Sequence, residues 1–205
     1  MWFRRRLAPG HGSFVTPMLP LRTARLELRD FRAEDFDAVH AFASDPVVTR
    51  YTSWGPNSEE ETRAFLEGVV REAAEQPRRT FSLAMVLHAD GALVGSCGLM
   101  GRREVYREYE IGYVLHRDWW GRGLASEVVG ALLAFGFGEM NAHRIYAQVD
   151  PENEGSSRVL TRAGFRLEGH LRKDALKGGE WRDSLVYALL DEEWAELSAR
   201  RVVPG

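Results

Sequence analysis

Apolar residues alternate with polar ones in several short stretches of the chain and recur every three or four positions in others, so the pattern predicts both strands and helices. The strand signal is clearest over 107–116, where every second residue from Tyr109 to Leu115 is apolar or aromatic and belongs to one face. The helix signal is clearest after Ser58, which forms a capping-box pattern with Glu61 ahead of an apolar stripe.

The order of these segments mixes hairpins with strand–helix–strand crossovers, which predicts a mostly antiparallel mixed sheet covered by helices. Proline closes several segments, since the residue before a proline avoids helical angles. The predicted elements, in chain order, are a strand at 26–31, helices at 32–45 and 58–76, strands at 80–87, 92–100 and 107–116, a helix at 124–137, a strand at 143–150, a helix at 152–164, a hairpin of strands at 165–176 and 181–190, and a final helix at 191–201.

Composition narrows the class of protein. The chain has 205 residues, a net charge of −3 and 44% hydrophobic residues, which suits one globular domain, taken as 21–205, after a flexible basic N-terminal arm, 1–20. Cys97 is the only cysteine and the histidines lack metal spacing, so we expect no disulfide and no metal. No apolar run reaches the roughly 20 residues of a membrane span, and no basic face points to nucleic acid. We therefore expect a cytoplasmic protein.

A glycine-rich turn precedes an apolar helix in the stretch WWGRGLAS, Trp119 to Ser126. Free N–H groups at a helix start, together with the helix dipole, form a site for an anion such as a diphosphate, and Arg122 would add a charged donor at its rim. A tight turn that needs glycine only for its geometry is the plain alternative. A dinucleotide-binding fingerprint is disfavoured, because the strand before the turn carries Glu108 and Glu110 where that motif needs a buried apolar strand.

Two motifs in the correct order make the sequence resemble the GNAT superfamily of N-acetyltransferases: EIGYVLHRDWWGRGLASEV and NEGSSRVLTRAGF. The family pattern Gln/Arg-x-x-Gly-x-Gly/Ala falls on 120–125, with Trp120 departing at its first place. That tryptophan, the opening RTARLELRDFRAEDFDAVHAFASDP and the phrase SWGP are similar to the branch of ribosomal-protein alanine N-acetyltransferases (RimJ/RimL type). Over 21–190, the resemblance implies an α/β fold: a mixed, mostly antiparallel sheet of about seven strands, flanked by helices and splayed between the fourth and fifth strands.

The resemblance also implies the binding site for acetyl-CoA, the cosubstrate. The turn would hold its diphosphate, and the pantetheine arm would lie in the splay, where one backbone N–H polarises the thioester carbonyl. Gly112 suits either a bulge that begins the splay or a packing position under Tyr113. The implied cofactor-binding residues are Val114, Leu115, His116, Gly121, Arg122, Gly123, Leu124, Ala125, Ser126 and Asn153. Asn153 equally suits a helix N-cap.

The catalytic residues are less clear, because Leu160 stands where many family members carry the tyrosine that protonates the departing thiolate. The resemblance favours Ser156 as the substitute, against a plain helix serine. The candidate general bases are Glu110, which we favour because it lies on the strand facing the cleft, and Glu108, His116 and Asp174. Asp183 is interpreted as structural, and Cys97 as a buried small residue rather than a nucleophile.

These expectations lead to a transfer of an acetyl group to a primary amine by direct attack, with a protein N-terminal α-amine of the ribosomal-protein type as the favoured acceptor. A small-molecule amine, a polyamine or an antibiotic remains open as the acceptor. A protein of another class, a non-catalytic acyl-CoA-binding regulatory module, is the alternative that the missing tyrosine supports. A homodimer is left open.

Overall fold

A computed structural model of the protein describes residues 19–202, with side chains through residue 200. Its strands are β1 (Leu21–Arg22), β2 (Leu26–Asp30), β3 (Thr80–Leu87), β4 (Leu93–Arg103), β5 (Glu108–Leu115), β6 (Arg144–Val149), β7 (Arg166–Lys177) and β8 (Glu180–Leu190). Its helices are α1 (Phe36–Ala43), α2 (Glu59–Ala73), α3 (Leu124–Gly138), α4 (Glu154–Ala163) and α5 (Asp191–Val202). The predicted arm, 1–20, lies outside the described residues except for its last two, so the division into arm and domain stays a prediction.

The eight strands form one sheet in the order β1-β2-β3-β4-β5-β6-β8-β7. Neighbouring strands are antiparallel except β5 and β6, which run parallel and are joined through α3. This confirms the mixed, mostly antiparallel sheet flanked by helices. The strand that the sequence pattern did not predict is β1, whose two residues are too few to show a period.

The sheet is open at one place, between β5 and β6. These strands pair only from Glu108 opposite Arg144 to Glu110 opposite Tyr146. Beyond Glu110, β5 continues along β4 and β6 continues along β8, so the two strands diverge. This is the predicted splay, which falls between the fifth and sixth strands once β1 is counted.

The predicted bulge at Gly112 is wrong. Gly112 pairs with Gly98 in an unbroken register between β4 and β5, and the register shift of that pair lies at Gly101–Arg103 instead. A side chain at Gly112 would meet only the end of Met100, at 3.7 Å, so tight packing does not require glycine there either. The strands separate because β5 stays paired with β4 and β6 stays paired with β8, not because β5 bends.

Two apolar clusters cover the two faces of the sheet. On one face, α3 buries Val128, Leu132 and Leu133 against the sheet, and α4 adds Leu160. On the other face, α1 and α2 enclose a smaller cluster that includes Phe42. Burial of each large apolar side chain contributes roughly 1.5–3 kcal/mol. The helices are therefore fixed firmly on either side of the gap.

Local signals explain most helix boundaries. The Ser58 hydroxyl accepts from the Glu61 N–H at 3.2 Å and the Glu61 carboxylate accepts from the Ser58 N–H at 2.7 Å, so the predicted capping box forms. The first predicted helix begins later than expected, at Phe36. Residues before it form a short 3₁₀ turn, in which the Asp35 carboxylate accepts two hydrogen bonds of 2.8 Å from the Arg29 guanidinium.

Candidate active site

A cleft of about 640 Å³ passes through the gap between β5 and β6. The ends of the two strands form its middle, α1 and α2 contribute Phe42 and Phe65 on one face of the sheet, and α4 contributes Asn153 and Ser156 on the other. The β7–β8 hairpin closes one end with Lys177. The cleft therefore connects both faces of the sheet, so two molecules can meet inside it from opposite sides.

The backbone of β5 presents alternate residues to the gap. The His116 N–H donates to the Val94 carbonyl on β4 at 2.8 Å, and along an antiparallel strand alternate residues bond to the same neighbour. Val114 and His116 therefore direct their backbone groups toward β4, while Tyr113 and Leu115 direct theirs toward the gap. This corrects the expectation that the backbone of Val114 and His116 faces the pantetheine arm. The side chain of Val114 still lines the cleft.

The glycine-rich turn has the geometry of an anion cradle. Gly121 and Gly123 have φ of 71° and 76°, in the left-handed region that favours glycine. Gly123 is the N-cap of α3 and provides no side chain to cap it. The first helical donor is the Glu127 N–H, which bonds to the Gly123 carbonyl at 3.2 Å. The N–H groups of 124–126 therefore precede the helical ladder and suit an anion.

Side chains around the turn hold it in place. Leu124 is 1% exposed and anchors the start of α3 in the core. The Trp120 indole N–H donates to the Leu115 carbonyl at 2.8 Å, which ties the turn to the end of β5. The Arg122 guanidinium lies 4.5 Å from the centre of the Trp119 ring, a cation–π contact at the edge of the turn. Ala125 and Ser126 occupy the first helical turn, as predicted.

The first turn of α4 brings two candidate residues together. The Asn153 side-chain oxygen accepts from the Ser156 N–H at 3.1 Å, so the predicted N-cap role is confirmed. Ser156 is half-buried and lines the cleft beside Tyr113, whose hydroxyl lies 3.5 Å from the Ser156 carbonyl oxygen. Leu160, one turn further, is fully buried. Burial raises the pKa of the Tyr113 phenol, so it stays protonated and able to donate.

Glu110 lines the cleft at the point where β5 and β6 diverge, but its carboxylate is not free. It accepts from Arg102 Nε at 2.6 Å and from the Tyr146 hydroxyl at 3.3 Å. The Glu110 side chain is therefore held by Arg102 and Tyr146 beside the gap.

The other candidate bases are less well placed. Glu108 is buried between Arg103 and Arg144, and the hydrogen bond from Arg103 holds the pKa of its carboxyl below the usual range. The His116 ring accepts from the Asp118 N–H at 3.3 Å and caps a 3₁₀ turn. Asp174 is exposed, and the cleft is lined instead by its neighbour Ala175.

Two interpretations of single residues agree with the structure. Asp183 accepts from the Lys173 N–H at 2.9 Å and lies 2.7 Å from His170 Nε2, so it fastens the two strands of the β7–β8 hairpin. Cys97 is 3% exposed, and burial raises the pKa of its thiol well above the usual range. These contacts suit the structural role predicted for Asp183, which also lines the cleft, and Cys97 is a buried small residue with little thiolate character.

Sequence reasoning missed the polar role of Tyr113, because the alternation of β5 assigned it to the core face. Its aromatic ring does pack against the core, but a buried tyrosine also needs a partner for its hydroxyl, and that need is the available signal. The contact with Ser156 spans 43 positions in the chain, so no local pattern encodes it.

Neither a metal site nor a membrane span is found in the part of the chain that the structure describes. No group of three or more histidine, cysteine, aspartate or glutamate side chains there is arranged to hold a metal ion. Among the helices over 19–202, none has the length and apolar character needed to cross a membrane.

Comparison with known proteins now identifies the class. Residues 25–166 match the family model of the acetyltransferase (GNAT) domain. The chain is 37% identical to the uncharacterized N-acetyltransferase YnaD of Bacillus subtilis over 174 residues, which cover 85% of this chain and 98% of YnaD. The chain therefore belongs to the GNAT family of N-acetyltransferases, enzymes that use acetyl-CoA, and the resemblance inferred from its motifs is confirmed.

More distant relatives bear on the acceptor. The chain is 27% identical to the spermidine N(1)-acetyltransferase of Escherichia coli, with 88% of this chain and 92% of that protein covered. The solved structure of RimJ from Mycobacterium smegmatis in complex with CoA-disulfide superposes with a TM-score of 0.75 at 26% identity, covering 90% of this chain and 97% of RimJ. The RimJ/RimL branch is thus among its structural neighbours.

Proposed function

We propose that the protein transfers the acetyl group of acetyl-CoA to a primary amine, and that the favoured acceptor is the N-terminal α-amine of a protein of the ribosomal type. The observation that carries the proposal is the gap beyond Glu110, which opens the sheet between its two faces. The free edge of β5 borders this gap, and β5 leads through a short 3₁₀ turn, Arg117–Trp119, into the glycine-rich turn at 121–126. A donor held by the turn would reach the gap along that edge.

The cofactor-binding residues follow from this placement. The backbone N–H groups of Gly121 to Ser126 hold the diphosphate, with Arg122 at the rim. The backbone of Tyr113 and Leu115 binds the pantetheine arm as an added strand. Asn153 uses its side-chain oxygen as a helix cap, and its NH₂ group is available to the arm.

When bound, acetyl-CoA supplies an acetyl group activated as a thioester. A backbone N–H facing the gap, such as that of Leu115, polarises the carbonyl oxygen. Glu110, acting directly or through a water, takes the proton that the amine loses as its nitrogen bonds to the carbonyl carbon. The Ser156 hydroxyl gives a proton to the sulfur as the carbon–sulfur bond breaks. Ser156 then regains a proton from solvent water, to which Glu110 returns the proton taken from the amine. No covalent enzyme intermediate is needed.

The acceptor must present a neutral amine, which favours an α-amine. The pKa of an α-amine is about 7.7–8.0, against about 10.4 for a lysine amine. More of an α-amine is therefore neutral near pH 7, and a modest base such as Glu110 suffices. A match at 34% identity over 84 residues to the ribosomal protein uS5-alanine N-acetyltransferase of Escherichia coli supports this class of acceptor. The similarity to a spermidine acetyltransferase supports a polyamine as the second candidate.

The test compares matched acceptors in an assay of free-thiol release. One peptide has a free α-amine, a second has the same sequence with a blocked N-terminus and a lysine, and spermidine is the third. We expect the highest kcat/KM with the free α-amine. Preference for spermidine would replace the favoured acceptor with a polyamine. Binding of the coenzyme by calorimetry without thiol release for any amine would mean a non-catalytic module.

A second experiment identifies the natural acceptor. Cell lysate proteins and metabolites are incubated with the protein and isotope-labelled acetyl-CoA, and labelled products are found by mass spectrometry. Label at a ribosomal protein N-terminus supports the proposal, whereas label confined to small amines or antibiotics contradicts it.

A further inference from the structure

The geometry points to Arg25 as a positioning residue for the diphosphate cradle: it fixes the peptide between Arg122 and Gly123 and neutralises Glu127 at the start of α3. This inference rests on the proposed function, because it concerns the site assigned there to the diphosphate. Arg25 lies about 100 positions from the turn in sequence, between β1 and β2.

Arg25 makes four polar contacts, one with the turn and three with Glu127 in α3. Its Nη1 donates to the Arg122 carbonyl at 2.9 Å, and its Nε donates to Glu127 Oε2 at 2.7 Å. Its Nη2 lies 2.7 Å from the same carboxylate oxygen, and its backbone N–H donates to Glu127 Oε1 at 2.8 Å. Thr23 adds a hydroxyl bond of 2.5 Å to that oxygen. The Glu127 side chain is consequently only 16% exposed.

The β1–β2 turn is itself anchored, so Arg25 is held from both ends. The His88 N–H donates to the Arg25 carbonyl at 3.0 Å, and His88 Nε2 lies 3.2 Å from the Thr23 carbonyl. Thr23 also bonds to Leu26 at the start of β2. A guanidinium fixed at its backbone loses little freedom when its fork binds, which makes it suited to bracing a loop.

The bond to the Arg122 carbonyl sets the direction of the next N–H group. In a trans peptide the carbonyl and the following N–H point in opposite directions. Arg25 holds the Arg122 carbonyl toward the β1–β2 turn. The Gly123 N–H therefore points away from the β1–β2 turn, toward the proposed position of the diphosphate. A side chain at Gly123 would lie 3.6 Å from Arg25 Nη2, so this face of the turn is already covered by protein.

The second contribution is electrostatic. Glu127 lies in the first turn of α3, and an unpaired carboxylate there would repel a diphosphate. Burial alone would raise the pKa of Glu127, but the hydrogen bonds from Thr23 and Arg25 lower it below the usual value, so the group is ionised. Arg25 cancels that charge beside the proposed anion site.

The test measures steady-state kinetics of Arg25→Ala with two donors, acetyl-CoA and acetyl-pantetheine, which has no diphosphate. We expect the KM for acetyl-CoA to rise roughly 10-fold or more, with kcat changed less than about threefold, since charge-assisted hydrogen bonds are lost only at the diphosphate. The KM for acetyl-pantetheine should not change. A general distortion of the fold would alter both donors alike.

Three further variants sharpen the test. Arg25→Lys keeps the charge but not the fork and should give a smaller rise, which also provides a folded variant if Arg25→Ala unfolds. Adding Glu127→Gln to Arg25→Ala removes the unpaired carboxylate and should recover part of the affinity. Arg22→Ala breaks an exposed ion pair with Glu27 at 3.0 Å on the same hairpin and serves as the matched control, with wild-type kinetics expected.

Two failures are distinguishable. Unchanged acetyl-CoA kinetics in both Arg25 variants would overturn this inference and leave the proposed function standing. An absence of acetyl-CoA binding to the wild-type protein would overturn the proposed function, and the role of Arg25 with it.

Discussion

At the scale of single residues, two side chains that carry hydroxyl groups, Tyr113 and Ser156, lie near the first turn of α4 in the cleft. Ser156 lines the cleft in the first turn of the helix, and the Tyr113 hydroxyl reaches the same turn from β5. Leu160 is buried and has no group to donate. Under the proposed mechanism, Ser156 and Tyr113 are the two candidate donors of the proton to the departing sulfur, and mutation can distinguish them.

We predict that Ser156→Ala lowers kcat by roughly 10²-fold or more, as loss of a general acid does, while the affinity for acetyl-CoA stays near the wild-type value. Stopped-flow or steady-state turnover together with calorimetry checks both quantities. Ser157→Ala, one position along the same helix, is the control. Wild-type turnover in Ser156→Ala combined with a large loss in Tyr113→Phe would assign the proton to Tyr113 instead.

Some of these residues were predictable from the sequence, and others were not. Asn153 is a good N-cap residue three positions before Ser156, so local chemistry specifies its contact. The ion pair of Glu110 with Arg102 crosses strands beside the register shift at Gly101–Arg103, and an irregular register leaves no sequence pattern. Arg25 is attached to the turn by tertiary contacts alone. Contacts within one helix could be predicted from the sequence, whereas contacts between residues on distant strands and turns could not.

At the scale of elements, the glycine-rich turn depends on backbone angles that other residues avoid. No atom lies within 4 Å of a side chain added at Gly121, and the nearest to one at Gly123 is 3.6 Å away, so space does not require glycine. Their φ values do, since left-handed angles cost a residue with a side chain about 1–2 kcal/mol.

We predict that Gly123→Val weakens acetyl-CoA binding by orders of magnitude while the protein remains folded, because the turn changes its angles and the N–H groups lose their alignment. Calorimetry measures the affinity and circular dichroism the fold. Gly138→Ala, at the far end of the same helix in open space, should leave binding unchanged. Equal affinity in Gly123→Val and wild type would refute the placement of the diphosphate.

The end of the gap where β5 and β6 still pair depends on Glu108, which links Arg103 on β4 with Arg144 on β6. The lowered pKa of Glu108 in the folded state means that its contribution to stability is complete above the unfolded value of about 4.3 and is lost as pH falls through the folded value. Acid therefore loosens the junction of the two strands.

We predict that Glu108→Gln lowers the free energy of unfolding at pH 7 by roughly 1.5–3 kcal/mol, the range for a hydrogen bond to a charged group. Its stability should then fall less than that of the wild type between about pH 5 and 3. Urea unfolding at several pH values measures this. Glu154→Gln, from an exposed pair with Arg158, should change little. Parallel pH profiles for Glu108→Gln and wild type would contradict the assignment.

At the scale of the whole molecule, binding of a donor in the gap should join the two halves of the sheet. A ligand at 100 times its Kd stabilises the folded state by about 2.7 kcal/mol, which is roughly 5–11 °C in Tm for a protein of this size. We predict a shift of this size with CoA in thermal scans and a smaller one with pantetheine. No shift at saturating CoA would contradict the proposed site.

The gap also affects how products are released from the molecule. Its mouths open on opposite faces of the sheet, one beside α4 and the other beside α1 and α2. In the proposed reaction, CoA and the acetylated acceptor would therefore leave through different mouths of the cleft. A new acceptor could then bind before CoA has left, and the order of release would depend on the affinity of each partner.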